Sequence, residues 1–239
     1  MVNTVYASNK WESVCLLAFH IPEEISRNQK ALINEVSKSF TKVFCIHSNN
    51  KIPKGVDGLD AEFVYSPIDN NYLDFGKYYY FITKYIDTLL NVKRLLLMND
   101  SCYIVKSLQG ILESKQDEID IYGITNSYEI HPHIQSYFLL CESSKSIDSV
   151  ITFFKTFDFT ILPNNFTKSD IVRAWEIGIS IYLLEECKHK YNCLIEVKET
   201  YPCNISYLHP DVLYASNVPL IKIKNIKGWV PNNADTTTP

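Results

Sequence analysis

The sequence predicts an α/β fold with a mostly parallel central sheet and helices on both faces. Apolar runs of strand length alternate with helically periodic stretches through the first hundred residues. Those runs are apolar throughout, the pattern of strands covered on both sides. The chain has 239 residues, 46% of them hydrophobic, enough to bury a substantial core in one domain.

Ser13–Ile21 reads as the first buried strand. Residues 23–40 come next, with Ile25, Leu32, Ile33, Val36 and Phe40 near a helical period. Lys42–His47 is the second strand, stopped by Ser48-Asn49-Asn50. A polar loop carrying Pro53, Gly55 and Gly58 leads to a short strand, Ala61–Tyr65. Lys77–Leu90 is an aromatic-rich helix with Tyr78, Phe81, Ile82, Tyr85, Ile86 and Leu89 on one face, and Arg94–Met98 is the fourth strand. Helices placed between strands in this order argue for parallel pairing. Of the consecutive Tyr78, Tyr79 and Tyr80, at least one must leave the core face.

The second half is less regular. Asp120–Thr125 and Gln135–Cys141 are strand-like, helices are expected at 146–157 and 170–189, and Ser169 or Asp170 is placed to cap the latter. Ile195–Lys198 reads as a late strand and Pro210–Ser216 as a short helix. The expectation is one domain over 1–228 and a polar, disordered tail over 229–239.

Composition removes several classes. The formal net charge is -4 with no long basic run, which argues against a nucleic-acid surface or a polybasic membrane anchor. Seven cysteines (15, 45, 102, 141, 187, 193 and 203) are scattered and mostly sit in apolar runs. That suits reduced thiols in the cytoplasm, and no second Cys/His pair stands at zinc-site spacing near Cys187 and Cys193. Val14–Phe19 is too short for a signal peptide and comes after Glu12. No segment reaches the roughly 20 apolar residues of a transmembrane helix. Membrane work, if any, would be peripheral. With seven glycines there is no dinucleotide fingerprint, and neither a Walker A loop nor a nucleophile elbow is present.

The most informative stretch is 92–103. Its apolar run ends in Asn99-Asp100-Ser101, at the carboxyl end of a strand, where open α/β sheets bind ligands. This tip reads either as a holder of phosphate or metal, or as an Asx-type turn capping the next helix. The layout suits a sugar-nucleotide-dependent transferase; pattern alone also permits a binding module or a hydrolase.

Four ordered segments sharpen this. They are Asn71-Tyr72-Leu73-Asp74-Phe75-Gly76-Lys77-Tyr78, then Leu97-Met98-Asn99-Asp100-Ser101-Cys102-Tyr103. Next come Tyr122-Gly123-Ile124-Thr125 with His133-Ile134-Gln135-Ser136-Tyr137-Phe138. Last are Trp175-Glu176-Ile177-Gly178-Ile179-Ser180 with Val218-Pro219-Leu220-Ile221-Lys222. Together, over about 12–225, they resemble the rhamnan synthesis protein F family of bacterial polysaccharide glycosyltransferases. The resemblance implies a GT-A-like glycosyltransferase fold, a nucleotide-sugar donor (dTDP-rhamnose first, UDP-sugars next) and a glycan acceptor.

Roles are assigned by chemistry. Asn99, Asp100 and Ser101 are given to the departing diphosphate. Asp74 is read as a nucleoside ligand, as the cap of helix 77–90, or as both. Gly76 permits close backbone approach, and Lys77 either reaches a phosphate or is solvated. Asp100 is the candidate ligand for Mg²⁺ or Mn²⁺, but one carboxylate between two neutral oxygens is a weak claim on such hard cations. A metal-independent enzyme, using Lys77 or helix N-terminal amides, is held equally open. Glu176 is the favoured catalytic base, beside Trp175 as a sugar platform that also desolvates it, with Asp170 in reserve and a surface glutamate as the alternative. His133, Gln135 and Tyr137 are assigned to the donor or acceptor pocket. His131 with His133 is a possible metal pair lacking a third ligand. A base without a rival nucleophile points to inversion. The competing readings are a non-catalytic sugar- or nucleotide-binding module of a larger multidomain assembly protein, and a phosphohydrolase using Asp100.

Overall fold

The computed structural model describes residues 11–21, 23–113, 118–157, 162, 165–200 and 204–222; the expected tail and Cys203 lie outside them. Strand β1 (Ser13–Phe19) pairs in parallel with β2 (Lys42–His47) and β4 (Arg94–Asn99), and β2 with β3 (Glu62–Tyr65). A short β5 (Cys102–Ile104) succeeds β4 outside this sheet. Farther on, β6 (Ile121–Ser127) carries β7 (His133–Ile134) antiparallel at its end, while β8 (Phe138–Cys141) inserts antiparallel between β4 and β6. Parallel β9 (Tyr191–Ile195) completes the edge on β6. The order β3-β2-β1-β4-β8-β6-β7, with β9 on β6, is the mainly parallel sheet the sequence predicts.

Alternation along the strands divides the core in two. Val14, Leu16, Ala18, Leu95 and Leu97 face α2 (Leu73–Lys84) and α5 (Ser144–Thr156). Cys15, Leu17, Phe19, Leu96 and Met98 face α1 (Arg27–Val36) and α4 (Gln109–Glu113). Every residue of β1 is buried, and each large apolar side chain so placed contributes about 1.5–3 kcal/mol. The described cysteines are unpaired thiols, all buried except half-exposed Cys187.

Several boundaries differ from the sequence reading, each for a local reason. The helix in 23–40 spans only Arg27–Val36, because Ser26 and Gln29 form a capping box. The aromatic helix begins four residues before Lys77, at Leu73, after a 3₁₀ turn at Asn70–Tyr72 capped by Asp69; it breaks at Tyr85 before α3 (Ile86–Leu89). Of its three tyrosines, Tyr78 is buried while Tyr79 and Tyr80 are half-exposed. The strand expected over Gln135–Cys141 begins only at Phe138, since Ser136 N–H donates to the Glu176 carboxylate. The late strand is Tyr191–Ile195 instead of 195–198. At Val197 the side-chain amide of Asn126 takes both backbone groups, at 2.6 and 3.1 Å, in place of a ladder.

The helix expected over 170–189 starts at Lys168, capped by Thr167 with Asp170 closing the box, so neither Ser169 nor Asp170 is the cap. It runs through α6 (Lys168–Ile171), a π-helical turn Val172–Ile177, α7 (Gly178–Ile181) and a second π-helical turn, Tyr182–Glu186. After it come α8 (Ile205–Leu208), α9 (Pro210–Ala215) and β10 (Leu220–Lys222), which pairs antiparallel with β5.

The glycine of the Gly-x-Thr segment in β6, Gly123, has no room for a side chain. A Cβ there would lie 2.5 Å from Ile134 Cγ2 and 3.1 Å from Cys193 Sγ. Gly123→Ala is expected to destabilise the fold by about 1–3 kcal/mol, read as a lower urea midpoint. Gly110→Ala in α4, with open space around it, should be neutral or slightly stabilising. Equal midpoints for the two variants would refute this packing account.

Candidate active site

The parallel strands β1 and β4 end at one edge of the sheet, and the polar tip after β4 splits there. Asn99 shares the parity of Leu97 and turns to the α2 face; Asp100 shares that of Met98 and turns to the α1 face. On the α2 side lies a cavity of about 300 Å³. Its floor is a directed chain of hydrogen bonds. Lys222 Nζ donates to Ser101 Oγ at 2.9 Å, and Ser101 donates through both its hydroxyl and its backbone N–H to Asn99 Oδ1. Asn99 Nδ2 in turn donates to Asp74 Oδ2 at 2.8 Å. Lys222 is brought here by the β10–β5 ribbon, where it is opposite Cys102, and its ammonium lies 4.4 Å above the Tyr137 ring.

The opposite wall comes from the helix 168–186 and the β6–β7 connection. Glu176 sits in the first π-helical turn and lines the cavity with Lys168, Glu129, His133, Gln135 and Ser136. Its Oε1 accepts the Ser136 N–H at 2.9 Å, and one turn on Ser180 Oγ accepts the Ile134 N–H at 3.1 Å. The helix thus clamps the bent segment 133–136 by side chains, leaving Glu176 Oε2 without a donor among the described residues. Widened π turns recur at functional sites. A second irregularity stands across the cavity, where non-glycine Leu73 adopts φ 53°.

The structure gathers Asp74, Asn99, Ser101, Glu176, His133 and Gln135 around this cavity and places the other expected residues elsewhere. Asp100 opens onto a separate hollow on the α1 side, where its Oδ2 accepts from His20 N–H at 2.9 Å and Gln29 Nε2 at 2.6 Å. Lys77 is neither solvated nor on the cavity wall: it is buried, with its ammonium on Asn70 Oδ1 and the Leu73 carbonyl. Trp175 is no sugar platform, being fully enclosed among Phe75, Phe154 and Phe157. Tyr137 is buried below the wall, sharing hydrogen bonds with Thr125 and Ser206. Gly76 makes room for protein, not ligand; a Cβ there would meet Ile68 and Tyr72 at 2.8 Å. Asp74 lies in the first turn of α2 without capping it. Asp170 is spent in the Thr167 box, and His131 pairs with Glu185, away from His133. Among the described residues no cluster of three His, Cys, Asp or Glu is placed to hold a metal.

Sequence reasoning gave no role to Lys222, Asn204, Glu129 or Lys168. Lys222 closes the fourth resembling segment, but only the β10–β5 ribbon shows where it goes.

Enclosure raises the Asp74 carboxyl above its ordinary range, against the pull of Lys77 and Lys222 and the Asn99 hydrogen bond. A carboxyl raised in the folded state contributes stability while protonated and loses it as pH rises through its folded pKa. Asp74→Asn is therefore expected to melt at a higher temperature than the parent at pH 7, the gain shrinking as pH falls. A variant less stable than the parent at pH 7 would show that Asp74 supports the fold.

The family model for rhamnan synthesis protein F matches residues 65–238, a span that contains the whole cavity lining. The chain belongs to that family. No curated protein sequence matches this rhamnan synthesis protein F family member. Solved structures resemble it in architecture. One is the glycosyltransferase GlyE of Streptococcus pneumoniae TIGR4, at 13% identity and TM-score 0.47, covering 87% of this chain and 50% of that one. Another is a glycosyltransferase involved in glycosylation of the major capsid of PBCV-1, at 10% identity and TM-score 0.44, covering 88% and 93%. A third is the galactosyltransferase LgtC with donor and acceptor sugar analogues, at 12% identity and TM-score 0.40, covering 87% and 86%. This chain thus spans half the length of the GlyE chain. Among the described residues no helix is long and apolar enough to cross a membrane.

Proposed function

We propose that this family member is a GT-A-like glycosyltransferase moving one sugar from a nucleotide-activated donor to a glycan acceptor. One observation carries the reading: a single cavity at the carboxyl edge of the parallel strands holds an ammonium on the Asn99–Ser101 tip and a carboxylate on the facing wall. Those are the two groups the reaction needs. Lys222 and Ser101 meet the charge that develops on the departing diphosphate. Glu176, through Oε2, takes the proton of the acceptor hydroxyl as its oxygen attacks the anomeric carbon and the bond to the phosphate oxygen breaks. A single displacement of this kind inverts the anomeric centre. The donor of first choice is dTDP-rhamnose, then UDP-sugars. The unpaired thiols suit a cytoplasmic site of action.

A divalent cation does not fit this tip. The Asp100 carboxylate faces the α1 side, where its Oδ2 accepts from His20 and Gln29, while Asn99 Oδ1 already accepts from Ser101. We therefore read the enzyme as metal-independent, with Lys222 in place of the proposed Lys77. Asp100, the nucleophile of the phosphohydrolase alternative, stands outside this cavity.

Thermal-shift titration of nucleotide sugars with and without Mn²⁺ tests the reading, since a ligand that prefers the folded state raises the melting temperature. Stabilisation by one nucleotide sugar, unchanged by Mn²⁺, is expected. Silence toward every nucleotide would overturn it.

A further inference from the structure

Asn204 carries a hydrogen-bonding oxygen that no described residue uses. It stands at the N-cap position of α8, where an asparagine side chain ordinarily accepts from a backbone amide of the first turn, yet it caps nothing. Asn204 lines the cavity and is 9% exposed, and its Oδ1 is buried with no donor among the described residues. Buried acceptors of this kind are rare, and each calls for a partner.

The orientation of that amide is set by its neighbours. His133 Nδ1 lies 2.7 Å from the His131 carbonyl, which can only accept, so in the neutral ring Nδ1 carries the proton. Nε2 is then an acceptor, and Gln135 Nε2 donates to it at 3.0 Å. This turns Gln135 Oε1 toward Asn204, whose Nδ2 donates to it at 2.9 Å. The relay runs in one direction and ends on Asn204 Oδ1. His133 and Gln135 thus satisfy each other, and the group they set up is one the sequence did not indicate. Asp74, Glu129 and Glu176 add further oxygens to the same walls, a lining suited to a ligand rich in O–H donors.

We infer that the His133–Gln135–Asn204 relay holds Asn204 Oδ1 ready for one hydroxyl hydrogen of the bound saccharide, making Asn204 a specificity-determining residue. The inference rests on the glycosyl-transfer reading. A site built to bond a hydroxyl rejects the analogue that lacks it, because the buried partner is left unpaired.

Two measurements test it. The first needs no ligand: long-range proton–nitrogen correlation spectra of protein carrying isotope-labelled histidine, with the His133 signal assigned by its loss in His133→Gln. The Nδ1–H tautomer is expected; the Nε2–H tautomer would reverse the relay and overturn the inference. The second titrates methyl α-L-rhamnopyranoside and its 2-, 3- and 4-deoxy analogues against dTDP-saturated protein. One deoxy analogue should bind at least about tenfold more weakly to the parent and about equally with its parent glycoside to Asn204→Ala. A penalty that survives in Asn204→Ala, or dTDP binding with no response to any glycoside, would overturn the inference. No binding of dTDP or UDP would instead strike the underlying reading, and the tautomer measurement on unmutated protein stands even where Asn204→Ala fails to fold.

Discussion

Lys222→Ala is expected to lower turnover by about 10²–10³-fold, the usual cost of removing one preorganised donor to developing charge. The reason is positional. The ammonium sits on Ser101 Oγ and over the Tyr137 ring, and the floor chain runs from it to Asp74. On the proposed reading, a diphosphate entering the cavity meets this cation on the Asn99–Ser101 tip. Two accompanying results are expected. The parent should keep its rate in EDTA, and Lys222→Arg should recover part of what alanine loses, since it keeps the charge with different geometry. Lys222 packs at the cavity edge and is only half-buried, so the melting temperature should move little. A chelator that abolishes activity, restored by added Mn²⁺, would show that a metal does this work.

The parts of the fold that sequence made legible are those where side-chain period and topology coincide. β1, β2 and β4 are buried on both faces, so their apolar runs announce them, and their shared direction comes from the helices between them. The second half resists for a different reason. Its pairing partners are side chains: Asn126 substitutes for a strand at Val197, and Glu176 and Ser180 substitute for one along 133–136. No periodicity encodes such substitutions.

The site divides in the same way. Motif order picked out Asn99, Ser101, Glu176, His133 and Gln135, all of which line the cavity. What it could not supply was orientation. Asp100 comes directly after Asn99 on a strand, so the pleat alone sends it to the opposite face. Trp175 precedes Glu176 on a helix, so the two side chains diverge, one into the aromatic core and one into the cavity. Lys222 comes from a three-residue strand too short to show a period.

Glu176→Gln should show the second large effect, about 10²–10⁴-fold in turnover with little change in KM, the signature of a lost general base. Glutamine is the informative replacement because Glu176 has two duties that its two oxygens separate. Oε1 holds the Ser136 N–H and with it the bend between β7 and β8; an amide oxygen can still accept that bond, so the fold should melt as the parent does. The other carboxylate oxygen is the one proposed to take the acceptor's proton, and the amide that replaces it cannot do so. Glu176→Ala removes both and leaves a backbone donor without its partner, a penalty of about 1–3 kcal/mol, so its melting temperature should fall as its activity does. If glutamine retained full turnover while alanine lost it, Glu176 would be a clamp alone. The base would then have to be sought on the remaining cavity carboxylates, with Glu129 the first to substitute.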